Sequence, residues 1–192
     1  HSHRAIGLDS RLQPLRPITI DTWWMNTFTP GREASSSAGH VLIDWSHPEW
    51  GITGGVMQVG RDFNPEAGFV NRTNTRFHDF NFHWTPKPKV SWVKLWDPHV
   101  GLSFDTDPST GELMTRNLHL EYVMTFKHGE TFAIGTNRNF ERLEAPFQIY
   151  PGVVVPAGAY LFNEYDGRAG SDQSRRVFGS IRFVTGHLYD GS

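Results

Sequence analysis

Cysteine is absent from the 192 residues. Disulfides and thiolate metal sites are thereby excluded, and redox chemistry gives no clue to the compartment. An excess of one charge is lacking as well. There are 18 Lys plus Arg against 20 Asp plus Glu, a net charge of −2. No basic stripe is present, so nucleic acid is not an expected partner. No apolar run approaches the roughly 20 residues of a membrane helix. The start, His1-Ser2-His3-Arg4, is not followed by the apolar core of a signal peptide. No helix of ordinary length and no close internal repeat is apparent. The sequence holds no GxSxG, phosphate loop, dinucleotide fingerprint or HExxH motif. Serine-nucleophile and nucleotide chemistry are therefore poorly supported, and neither a cofactor nor a metal is expected.

What the chain has is aromatic residues: 7 Trp, 14 Phe and 5 Tyr. They favour strands, a sugar-binding surface or the aromatic girdles of a membrane barrel. The period-2 pattern is clear in several segments. In 18–28, Ile20, Thr22, Trp24, Asn26 and Phe28 oppose Asp21, Trp23, Met25 and Thr27. Val41, Ile43 and Trp45 alternate with His40, Leu42 and Asp44. In 76–84, His78, Phe80, Phe82 and Trp84 oppose Asp79, Asn81 and His83. In 113–127, Leu118, Leu120, Tyr122, Met124 and Phe126 oppose Asn117, His119, Glu121, Val123 and Thr125. Further strands are expected over 5–15, 50–59, 90–104, 131–136, 159–164 and 175–188. Pro98 should mark an edge or a bulge. Residues 137–149 read as irregular, with a helical turn, and 165–174 as a Gly/Asp/Ser loop. Residues 32–39 read as a Ser-rich loop. The expected fold is all-β: an antiparallel β-barrel or strongly curved sheet of about ten strands, with 1–192 a single β domain.

Four groupings could carry chemistry. The first is the stretch Gly60 to Thr73, which has turn chemistry and no strand period. Asp62 and Glu66 lie there with Arg61 and Arg72. Two carboxylates near arginines would suit an acid/base pair or a sugar clamp, and they equally suit a turn held by ion pairs and backbone hydrogen bonds. Asn64-Pro65 starts the turn, and Gly68 is the residue there that could take a positive φ without strain.

The second is the polar side of the central strands: Asp44, Asp79, Asn81, His83, Asn117, His119 and Glu121. Opposed carboxylates there would suit glycoside hydrolysis, with Glu121 or Glu66 as acid and Asp79 or Asp44 as partner. His119 beside a carboxylate would serve as general base or metal ligand. The plainer reading is a solvated sheet face or polar barrel interior.

The third grouping is the ten histidines. His119 with Glu121, and Asn81 with His83, have the parity to share a face, whereas His78 and His83 do not. The fourth is the tryptophans. Trp92 and Trp96, flanking Lys94, are candidates for stacking on a sugar ring, against core packing or an interfacial girdle.

The stretch Asp62-Phe63-Asn64-Pro65-Glu66-Ala67-Gly68-Phe69-Val70-Asn71-Arg72 resembles a motif of a bacterial family of uncharacterised function. Gly7-Leu8-Asp9, Thr27 to Gly31, Asp172-Gln173-Ser174-Arg175-Arg176 and Gly186-His187-Leu188-Tyr189-Asp190-Gly191 are similar too. In that family a family-9-type carbohydrate-binding module precedes a C-terminal region resembling an outer-membrane β-barrel. This chain resembles part of that barrel region. It lacks the binding module, and its end reads as a turn rather than a final strand.

The resemblance assigns no catalytic residue. It implies a barrel domain of an envelope protein associated with carbohydrate binding or uptake, placed in the outer membrane or periplasm, or secreted. It also implies a piece of a larger barrel, with homo-oligomerisation through unpaired strand edges. A soluble glycoside hydrolase and a non-catalytic carbohydrate-binding module stand as alternatives.

Overall fold

A computed structural model describes residues 3–32, 35–66, 68–70, 72–189 and 191. His1, Ser2, Asp190 and Ser192, Glu33 and Ala34 of the Ser-rich loop, and Ala67 and Asn71 of the family-like motif lie outside the described residues. Twelve strands form: β1 (Arg4–Leu15), β2 (Ile18–Phe28), β3 (Ser37–His47), β4 (Trp50–Val59), β5 (Thr75–Trp84), β6 (Val93–Thr106), β7 (Leu113–Phe126), β8 (Thr131–Leu143), β9 (Phe147–Tyr150), β10 (Val153–Val155), β11 (Gly158–Gly170) and β12 (Ser180–Gly186). Ten of them make one antiparallel sheet in the order β1-β2-β3-β4-β5-β6-β7-β8-β11-β12. β9 and β10 form a separate hairpin within the β8–β11 connection. The sheet does not close, so the open form is observed rather than the barrel.

Three expectations are corrected. Residues 137–149 are not irregular: β8 runs on to Leu143 and β9 follows. The expected loop 165–174 is strand as far as Gly170. Of the edge or bulge expected at Pro98, the edge is excluded, because β6 lies between β5 and β7. The β7–β8 hairpin is as expected, with Gly129 at φ 87 and Phe126 N–H donating to the Glu130 carbonyl at 2.8 Å.

The chain divides into two compact units. The first holds 1–46, 52–80 and 103–113, and the second holds 47–51, 81–102 and 114–192. In the first, the register aligns Leu8 with Trp24, Leu12 with Ile20 and Ile43, Thr22 with Val41, and Ile18 with Trp45. These side chains share one face of the pleat. Leu8, Leu12, Trp24, Val41, Ile43 and Trp45 are all exposed there, Leu8 at 74%. The opposite face carries Asp21, His40 and Asp44.

In the second unit Leu120, Tyr122, Phe132, Ile134, Leu161, Tyr165, Ile181 and Phe183 share a face by the same register, and all are exposed, Ile181 at 71%. Behind them lie Asn117 opposite Asn139, His119 opposite Asn137 and Glu164, and Glu121 opposite Gly135 and Asp166. Among the described residues, each unit thus has an apolar face without a covering layer and a polar face rich in hydrogen bonds.

A hydrophobic core among the described residues of the first unit sits on the polar side, beneath the 60–74 connection. Ala38, Val59 and Phe63 are buried, with Trp23, Met25, Met57 and Val70 packed around them. Gly60 comes so close to the Ser35 backbone that a Cβ there would collide with it. Gly60 N–H donates to the Ser37 carbonyl and Asp62 N–H to the Ser35 carbonyl, both at 2.9 Å. The Thr27 hydroxyl, 1% exposed, donates to the Ser36 carbonyl at 3.2 Å and accepts from Asn64 N–H at 3.1 Å. Among the described residues of this connection, Glu66 at φ 28 and Asn74 at φ 52 are left-handed.

Phe63 is the anchor of the connection, 7% exposed. Phe63→Ala is expected to cost about 3–5 kcal/mol of local stability. Limited proteolysis should then cut within 60–74 at protease levels that leave the parent chain intact. Equal resistance of the two proteins would show that Phe63 does not hold the connection.

Candidate functional site

The polar face of the second unit gathers the densest set of functional side chains. Glu121 on β7 faces Gly135 on β8, and Asp166 on β11 faces the same glycine. A Cβ at Gly135 would lie 2.7 Å from Asp166 Oδ1 and 3.5 Å from Glu121 Cγ. The missing side chain is therefore the space these two acids use. Gly101 on β6 plays the same part for Asn81 and His119.

Glu121 is clamped. Its side chain is 7% exposed, and Arg168 Nη2 lies 2.7 Å from each carboxylate oxygen. His99 Nε2 approaches Glu121 Oε2 at 3.3 Å. His119 stands beside His99, with ring centroids 5.3 Å apart. The Asn137 amide NH₂ donates to Glu164 Oε1 at 3.2 Å, which turns its carbonyl oxygen towards His119 Nδ1 at 2.8 Å. That nitrogen must therefore donate, and the lone pair of His119 lies on Nε2. His99 Nδ1 faces Asp97, at 3.4 Å from its carbonyl and 3.9 Å from Oδ1. Asp97 Oδ1 is buried without a hydrogen-bond partner.

Of the residues expected from sequence, His119 and Glu121 come together as the shared parity required. His99 and Arg168, which sequence reasoning did not single out, complete the group. Asn81 lies over Gly101, and His83 packs on Gly51, where a Cβ would strike its ring. Asp44 and Asp79 belong to the first unit, so neither unit by itself assembles the expected pairing with Glu121. Asp44 accepts from the Ser46 hydroxyl at 2.6 Å and the Thr53 hydroxyl at 2.8 Å. Asp79 lies over Gly55.

Glu66 pairs with His3 at 2.7 Å, and Asp62 follows the ladder to Ser35. Arg72 lines an open hollow of about 840 Å³ in the first unit, with Trp23, Met57, Phe77, Phe69 and Asp105. Phe69 is 90% exposed. Trp92 is exposed and stacks on Phe126, centroids 5.8 Å apart. Trp96 has a buried indole N–H without a partner. By strand alternation Trp96 falls on the apolar face, away from the polar cluster.

Two further groups are electrostatically marked. The Ser109 and Thr110 backbone N–H groups donate to Asp107 and hold its carboxyl below the usual range. This fixes the 107–112 turn rather than a reacting group. Tyr189 sits in the family-like closing segment. Its ring packs edge-on to Tyr160, and its hydroxyl donates to Glu141 Oε2 at 2.9 Å. Burial first, then the Glu141 hydrogen bond and charge, push the phenol up to about 12. No protein-family model, curated protein or solved structure matches the chain.

The Tyr189 contact has a signed pH dependence. A phenol raised above its ordinary 10.0 is stabilising in its neutral form. The contribution is fully present below pH 10 and is lost as pH rises through about 12. Between those values the unfolding midpoint of the parent chain should fall more steeply than that of Tyr189→Phe. Parallel slopes would exclude the contact as a stabilising one.

Proposed function

We propose that this chain forms part of the wall of an outer-membrane β-barrel, in an envelope protein associated with carbohydrate. The observation that carries this reading is the two-sidedness of the strands. In both units one face is apolar and exposed, and the other holds the hydrogen-bonded polar groups. Fully burying an aliphatic or aromatic side chain is worth about 1.5–3 kcal/mol. Many half-exposed ones together approach the roughly 5–15 kcal/mol that usually separates folded from unfolded chains. Lipid is the solvent in which that face costs nothing, and an inward polar face is what barrels of this kind carry.

Two features of the chain agree with this reading. Trp45, Trp84 and Phe132 sit at or near strand ends on the apolar side and are exposed there, as interfacial aromatics do. Tight turns at 16–17 and 48–49 leave β1 and β3, while the longest connections, 60–74 and 144–157, leave β4 and β8. Barrels of the outer membrane have short periplasmic turns and long external loops. The 60–74 and 144–157 segments would then face outward. The carbohydrate association rests on the resemblance of the Asp62–Arg72 motif. The adjoining hollow, with Trp23 to stack on a ring and Arg72 and Asp105 to hydrogen-bond hydroxyls, is where a sugar would fit.

The test is folding into liposomes, read by protease protection and by the mobility shift of unheated samples in gels. Leu120→Arg on the apolar face should weaken folding in lipid by about 2–4 kcal/mol if the residue lies near the midplane. Asn117→Arg, on the polar side of the same strand, should cost far less. A monodisperse, folded chain in detergent-free buffer, indifferent to Leu120→Arg, would refute the membrane reading.

A further inference from the structure

The geometry points to a divalent metal site on the polar face of the second unit, held by His99, His119 and Glu121. Among the described residues this is the one group of three metal-ligating side chains whose donor atoms lie within 4.8 Å of one another. The inference goes beyond the barrel proposal and does not depend on it, since all three ligands come from β6 and β7.

Tautomers decide the matter. Asn137 accepts from His119 Nδ1, so the lone pair of that imidazole is on Nε2. The Asp97 carbonyl, 3.4 Å from His99 Nδ1, favours the same tautomer for the neutral ring of His99. His99 Nε2 is nevertheless directed at Glu121 Oε2, 3.3 Å away. Two acceptors at that distance repel unless a cation lies between them, either a proton on His99 or a metal ion that His119 also reaches. The spacing fits the latter, because ligands about 2.0–2.1 Å from a tetrahedral ion stand roughly 3.3 Å apart.

The surrounding groups are those that ligating residues require. A metal-bound histidine donates its other N–H to a carboxylate or carbonyl. Asn137 does this for His119. Asp97, whose Oδ1 is buried and otherwise unpartnered, is placed to do it for His99. Arg168 orients the Glu121 carboxylate and leaves each oxygen a lone pair. Two imidazoles and one carboxylate suit Zn²⁺ or another borderline first-row ion, with positions left open for water or a further ligand.

The test is titration of the chain, folded in detergent micelles, with Co²⁺ as a spectroscopic probe and then Zn²⁺ as competitor. One equivalent should bind, with visible bands of low coordination number that Zn²⁺ abolishes. His119→Ala should weaken binding at least tenfold, and His83→Ala should leave it unchanged. Asn137→Ala keeps all three ligands and tests the tautomer argument separately. A loss of roughly 10–100-fold is expected there. Absence of binding, or affinity unchanged in both His119→Ala and Asn137→Ala, would overturn the site. If His119→Ala does not fold, unchanged affinity in Asn137→Ala is decisive against it. Because the readout is metal occupancy in micelles, a negative result leaves the liposome experiment standing, and the reverse also holds.

Discussion

The structure depends on strands whose apolar face, in each unit, has no second layer among the described residues. In a sandwich or a sheet covered by helices, the inward face is apolar and the outward face wet. Here the order is inverted. In the first unit the exposed side carries Leu8 and Ile43 and the other Asp44; in the second the exposed side carries Leu120 and Ile181 and the other His119 and Glu121. The core around Phe63 forms on the polar side and only where the 60–74 connection folds back. The main packing of the protein is left to whatever solvent meets its apolar face.

That inversion gives the polar side its character. In the second unit the polar side chains are fixed largely by one another. Glu164 orients Asn137, Asn137 orients His119, and Arg168 orients Glu121. Glycines across the strands supply the room these longer side chains need. The result is a chain of polar contacts in which each group's orientation follows from the next. Such networks are rigid when every member is satisfied. Asp97 Oδ1, buried without a hydrogen-bond partner, lies 3.9 Å from His99 Nδ1.

Much of this was legible in the sequence, for a physical reason. Where apolar and polar residues alternate strictly, as from Leu118 to Phe126, the faces follow from the pleat alone. The reading failed where polar residues occupy both faces. Asn137, Arg138, Asn139, Glu141 and Arg142 hide the period of β8, and Asp166, Gly167, Arg168 and Gly170 make the end of β11 look like a turn. Arg168 was missed with that strand. His99 was missed although 90–104 read as one strand, because Trp92, Trp96, Val100 and Leu102 drew the reading to the opposite face of β6. Asp62 and Glu66 were prominent by charge density. Their partners, the Ser35 backbone and His3, lie far along the chain and left no local signal.

The strand order has a consequence for how such a chain comes to be folded. Each strand of the large sheet lies beside its predecessor in sequence, apart from the β9–β10 hairpin looped out between β8 and β11. No strand waits for one that is synthesised much later. Ring closures are short, and short closures are the fast ones. The chain can therefore be laid down one hairpin at a time from either end, each new strand finding a ready edge. At every stage of that growth the advancing edge is a bare ladder of N–H and C=O groups, and the same holds for β1 and β12 at its limits.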